Sequence, residues 1–233
     1  MNEINQELQA IYQSYFENLK GKTLPPETSN PLLMHIYDEY MTSKVKVMIV
    51  GKETNSWGNL SQTSSIKPII KMYKDFALGH GWYNKSGKMR MLNSPFWNFS
   101  RSIFAKLNDG NRRSKGFLWT NVSKFDTGKN NRTPDLAYRY KEGFELLRKE
   151  IKITGPDLIL FVTGNDYDVQ IKEYINLESS PLEAHPYIDI LKDNKGEISA
   201  KMYKINHPNW LRYNKKYWPV LNQLIALNQK ESV

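Results

Sequence analysis

Four short polar clusters hold the side chains of this chain best suited to do chemistry together: Gly51-Lys52-Glu53-Thr54-Asn55, Thr120-Asn121-Val122-Ser123-Lys124, Gly164-Asn165-Asp166 and Asn206-His207-Pro208-Asn209. They supply a carboxylate in Glu53, an amide in Asn121 and an imidazole in His207. Brought to one place, such a trio can orient a water, read the edge of a nucleobase and donate to a developing anion. A single asparagine or histidine is more often a cap or a satisfied hydrogen-bonding residue. What raises the weight of these four clusters is that each follows a segment that reads as a β-strand.

Those segments are Lys44 to Val50, Phe117 to Val122, Pro156 to Val162 and the weaker Lys201 to Ile205, with a further weak strand expected at Ile188 to Leu191. The first three are nearly continuous apolar runs, the mark of strands buried on both faces. Helical spacing of apolar residues lies between them. Ile4, Leu8, Ile11, Tyr15 and Leu19 make one stripe, a short helix is expected over Pro31 to Tyr40, and another runs from Ser65 to Leu78. Pro95 opens a helix carrying Phe96, Phe99, Ile103 and Leu107, and Thr133 before Pro134 caps one expected to reach Ile151. Helices over Tyr167 to Ile175 and Tyr213 to Asn228 complete the set. Alternating strands and helices predict an α/β fold, a three-layer sandwich with a central mainly parallel β-sheet flanked by helices on both faces. Ligands of such sheets bind at the carboxyl ends of the strands, where the four clusters stand.

The 233 residues carry 33 Lys and Arg against 24 Asp and Glu, a net charge of +9, so polyanions, nucleic acid first, are the expected partners. One domain over residues 1–233 is expected, with a helical extension at about 1–42. Cysteine is absent, which excludes disulfides, thiolate nucleophiles, cysteine zinc sites and iron–sulfur clusters. Met1 to Leu19 contains Glu3, Glu7 and Glu17 and does not read as a signal peptide. The apolar runs are far short of the roughly 18 residues a membrane helix needs, so a cytoplasmic protein without a membrane partner is expected. The stretch from Phe76 to Phe96 is rich in Gly, Asn and basic residues and reads as an inserted loop able to touch DNA through Lys85, Lys88 and Arg90. Gly81 to Lys88 within it has the wrong spacing for a phosphate-binding Walker loop.

The order of the clusters resembles the uracil-DNA glycosylase superfamily, whose branches show Gly-x-x-Pro-Gly after the first strand, Thr-Asn-x-x-Lys at the second, Arg-Pro-x-x-Ile near the third and a late His-Pro. Thr120-Asn121-Val122-Ser123-Lys124 is similar to the second of these, Gly155 to Gly164 to the third and Asn206-His207-Pro208 to the last, within a likeness running from about Val45 to Leu227. The resemblance implies excision of uracil or another deaminated base, flipped out of duplex or single-stranded DNA, by hydrolysis of its N-glycosidic bond without a metal or other cofactor. It implies that Asn121 reads the base, that His207 donates to the departing base and that Glu53, where several branches have Asp or Asn, positions the attacking water. Trp57 and Phe96 are the candidates for the aromatic floor. Lys52, Lys124 and Arg212 join Lys85, Lys88 and Arg90 as candidate phosphate contacts. Thr54 stands where the family has proline, and Asn55 where it usually has Gly or Tyr.

Two other readings follow from the same residues. The chain could be a non-catalytic member of this fold that binds nucleic acid, or a metal-dependent phosphoesterase with Glu53, Asp126, Asp166 and Asp168 as oxygen ligands.

Overall fold

The computed structural model describes residues 3–83, 87–108, 110–127 and 141–229. Six strands form one sheet: β1 (Val47–Gly51), β4 (Leu118–Asn121), β5 (Leu158–Phe161), β6 (Leu177–Leu182), β7 (His185–Asp193) and β8 (Lys201–Ile205), in the order β4-β1-β5-β8-β7-β6. The first four run parallel, and β7 and β6 add an antiparallel hairpin to the β8 edge. Every residue of β1, β4 and β5 is buried, in keeping with their unbroken apolar character. The order reverses at β1, which has β4 on one side and β5 on the other; a crevice opens at such a reversal.

Alternate residues of β4 point into different layers. Thr120 donates to Glu150 on the helix Glu142–Thr154 (α5), and Tyr12 on the helix Glu3–Lys20 (α1) donates to the same carboxylate. Trp119, one residue earlier, meets Tyr73 of α3 (Ile66–Phe76) and Trp97 of α4 (Pro95–Leu107). Helices therefore cover both faces, and α1 belongs to the same apolar core as the sheet. Between α3 and α4 the chain makes a small hairpin, β2 (Trp82–Tyr83) with β3 (Met89–Arg90), where a loop was expected. Arg101 of α4, almost wholly buried, anchors its base by donating to the carbonyls of Leu78 and Leu92.

Three expectations need correction. The helix expected at Pro31 to Tyr40 begins only at Asp38 (α2, Asp38–Met41), because the preceding chain lies extended along residues 124–126: Ser29 N donates to Asp126 O and Leu32 N to Lys124 O. Strand β6 was not foreseen; it is a mostly exposed edge strand with Pro181 and no apolar alternation. The last helix, expected from Tyr213, begins at Tyr217 (α8, Tyr217–Asn228), and a separate short helix, α7 (Pro208–Tyr213), precedes it, the two parted where Lys215 takes a left-handed φ of 57°. Pro219 explains the break, since its ring would collide with the carbonyl of residue 215 in a continuous helix. Asp168–Gln170 and the π turn Ile171–Ile175 together form α6. The expected helix start at Thr133 and Pro134 lies outside the described residues; α5 is described from Glu142.

Candidate active site

Gly51 closes β1 and Asn121 closes β4, and the two are paired across the sheet. A methyl group on Gly51 would fall inside the contact distance of Asn121 Oδ1 and 3.6 Å from Phe96 Cε2. Glycine is thus what lets the Asn121 amide fold across the end of β1. That amide is 1% exposed, and its Nδ2 has no hydrogen-bond partner among the described residues. A buried N–H left unpaired costs about 1–3 kcal/mol, so it marks a place where an acceptor is wanted. Beside it, the ring of Phe96 lies nearly parallel to that of His207, with centroids 5.9 Å apart and planes 16° off parallel.

His207 is held by its own backbone. As the N-cap of α7 it accepts the Asn209 amide hydrogen at Nδ1, 3.2 Å away. A backbone amide can only donate, so Nδ1 carries no proton and Nε2 does. Burial, reinforced by the Lys52 ammonium and opposed by Asp166, pushes the imidazole down to about 4. Near neutrality His207 is therefore an uncharged Nε2–H donor.

Glu53 and Lys52 leave β1 on the β5 side. Lys52 pairs with Asp166 at 2.5 Å, and the Tyr167 hydroxyl donates to Glu53 Oε2 at 2.6 Å. Tyr167 is fully buried, and burial together with the Glu53 carboxylate raises its pKa, so it stays a phenol and remains the donor. The loop that follows is fixed by Asp126, whose carboxylate accepts from Thr54 Oγ1 at 2.6 Å and from Ser56 N at 3.1 Å; Ser29 Oγ touches Thr54 at 2.8 Å. Thr54 is thus a buried hydrogen-bonding post.

Glu53, Asn121, Phe96 and His207 accordingly share one rim with Lys52. Trp57 sits lower on the Asn121 face, its ring edge-on to Trp119 at 5.7 Å and to Phe76 at 5.5 Å, with its indole N–H also buried and unpaired among the described residues. Phe96, unlike Trp57, lies beside both the amide and the imidazole. Arg212, Lys88 and Arg90 are exposed, while Lys85 lies outside the described residues.

Lys124 is a correction. Its ammonium is wholly buried, donating to Thr120 Oγ1 at 2.6 Å and to Glu150 Oε2 at 2.5 Å, and Glu150 is equally buried. Burial lowers its pKa against the pull of Glu150. No phosphate can reach it. The four carboxylates considered as metal ligands are committed elsewhere: Asp126 to Thr54 and Ser56, Asp166 to Lys52, Asp168 to Lys204 and Glu53 to Tyr167. Among the described residues no group of three or more His, Asp or Glu stands together in a way that could hold a metal ion.

One residue important to the site escaped sequence reasoning: Tyr167 follows the third cluster directly, and a tyrosine at a strand end beside polar residues was the available signal. Asp126, considered only as a metal ligand, instead fixes the loop through Thr54 and Ser56, 72 and 70 positions away.

No helix among the described residues is long and apolar enough to cross a membrane. No protein-family model matches the chain, and comparison with curated proteins gives no match either.

Proposed function

We propose that this chain is a DNA glycosylase with a uracil-DNA glycosylase-like fold, hydrolysing the bond between a deaminated base and its sugar. The observation that carries this reading is the buried, unpaired Nδ2 of Asn121 at the β1–β4 boundary, beside the Phe96 ring and a neutral His207. An extruded base with a carbonyl oxygen where cytosine or adenine carries its exocyclic amino group would accept from that N–H, which the amino group cannot do. As the glycosidic bond breaks, its electron pair goes to the base, and the sugar carbon is left electron-poor. His207 Nε2–H donates to the base oxygen where that charge collects, and the Glu53 carboxylate lies on the β1–β5 side to orient water and steady the cation. Water supplies the hydroxyl at the sugar and a proton to the base. Loss of one such donor lowers turnover about a hundred- to a thousandfold in comparable sites.

A specific observation favours the second reading, a nucleic-acid-binding protein without catalysis: Glu53 Oε2 already holds the Tyr167 hydroxyl, and Thr54 is spent on Asp126. One assay separates the two. Oligonucleotides carrying uracil, hypoxanthine, xanthine or mismatched thymine are incubated with the protein in EDTA and scored for abasic sites. Abasic product lost on His207→Ala supports the glycosylase; salt-sensitive binding with no product supports the second.

A further inference from the structure

A cleft of about 670 Å³ opens beside the rim, between the start of α4 and the turn joining α7 to α8. Pro95 and Asn98, which flank the site residue Phe96, line it on one side; Arg112, Arg212, Lys215 and Trp218 line the other. It holds three cations and not one carboxylate. None of the three is ion-paired among the described residues, although ten ion pairs form elsewhere. Such unneutralised convergence stabilises only when an anion is present. The first turn of α8, which no side chain caps, contributes Tyr217 and Trp218 to the same cleft. Trp218 is 64% exposed, so its ring is open to stacking from the cleft.

On the other side of His207 a cleft of about 560 Å³ carries the opposite balance, with Asp168, Glu178 and Asp189 against Lys172 and Lys204, and Lys204 is already bound to two of those carboxylates. A polyanion leaving the rim is repelled there and drawn to the first cleft.

We infer that the cleft of Arg112, Arg212, Lys215 and Trp218 binds a nucleotide of a single-stranded stretch next to the base held at Asn121, with its phosphates on the cations and its base on the Trp218 ring. The inference rests on the nucleic-acid part of the function proposed above, and not on catalysis. Stacking on an exposed ring needs an unpaired base, which is why single strand is preferred.

The test is fluorescence anisotropy with a labelled, lesion-free single-stranded oligonucleotide. Arg112→Glu with Arg212→Glu should weaken binding at least tenfold at about 0.1 M salt and lower the salt slope by about 1.4, two phosphate contacts' worth. Trp218→Ala should weaken binding about tenfold with the slope unchanged, and Trp218→Phe should recover most of it. Lys149→Glu with Lys195→Glu, the same change of net charge in a cleft away from this site, should change little and serves as the control. Arginine and tryptophan variants that behave like this control overturn the inference. So does displacement of the oligonucleotide by dAMP at equal concentration, which would make this a site for a free nucleotide. If the protein releases no base and these variants still weaken binding, the glycosylase reading fails alone; base release with indifferent variants fails this inference alone.

Discussion

The Nδ1 of His207 accepts the backbone amide of Asn209, and that one bond decides which ring nitrogen faces the site with a proton. Protonating Nδ1 would break the cap and set an ammonium-like ring beside Lys52. The imidazole should therefore titrate near 4 and not near 6.5. Activity should be flat through pH 6.5, and nitrogen-15 NMR should report an Nε2–H tautomer at pH 7. An inflection near 6.5 that vanishes in His207→Gln would refute this assignment.

Stability follows from the same group. Its folded pKa lies below its ordinary value, as does that of His35, pushed down to about 4 by burial and then by Lys74. Their contribution is whole above pH 6.5 and is lost as pH falls through the window from 6.5 to 4, where the unfolded chain binds more protons. Urea unfolding between pH 7 and 4 should show a decline that is shallower in His207→Gln.

Gly51→Ala tests the packing of the Asn121 amide. The added methyl must push Asn121 aside, and displacement of about an ångström costs on the order of a hundredfold in turnover. Overpacking should cost about 1–3 kcal/mol, so the protein remains folded while activity collapses. Activity within threefold of the parent would show that Asn121 does not need its present position.

Lys124→Met should destabilise the protein by about 3–5 kcal/mol, because Glu150 is left as a buried charge with only hydroxyl donors. Lys124→Met with Glu150→Leu should lose less than the single change. Denaturant melts of both measure this. A surface phosphate contact would behave otherwise, weakening nucleic-acid binding and leaving stability alone.

Glu53→Gln should lower turnover about a hundredfold while oligonucleotide affinity holds. Tyr167→Phe acts through Glu53 as a positioning change and should lower turnover about tenfold with KM unchanged. A rise in KM alone would place Glu53 in binding and remove it from the chemistry.

The strands were legible because Val47 to Val50 and Leu158 to Phe161 are short runs apolar at every position, the pattern of strands covered on both faces. The polar residues that follow them had to emerge at one end. Lys124 was misread because position after a strand suggested a rim, and its partner lies 26 residues on. A signal existed in α5: Glu150 stands in the apolar stripe of Phe144, Leu147 and Ile151, and a charge there needs a buried counter-charge. Arg101, in the stripe of Trp97 and Phe104, is the same case with backbone carbonyls as partners. Strand β6 gave no pattern, since an exposed edge imposes none.

The amide of Asn121 carries the proposed function, and its donor can be exchanged for an acceptor with almost no change of shape. Free base released from uracil- and cytosine-containing single strands, measured by mass spectrometry, reads that exchange. The parent should release uracil and spare cytosine, while Asn121→Asp should lose uracil and gain cytosine, whose pairing edge offers an amino group to a carboxylate. No release of any base by the parent, or the same uracil release from Asn121→Asp, would contradict the role given to this residue.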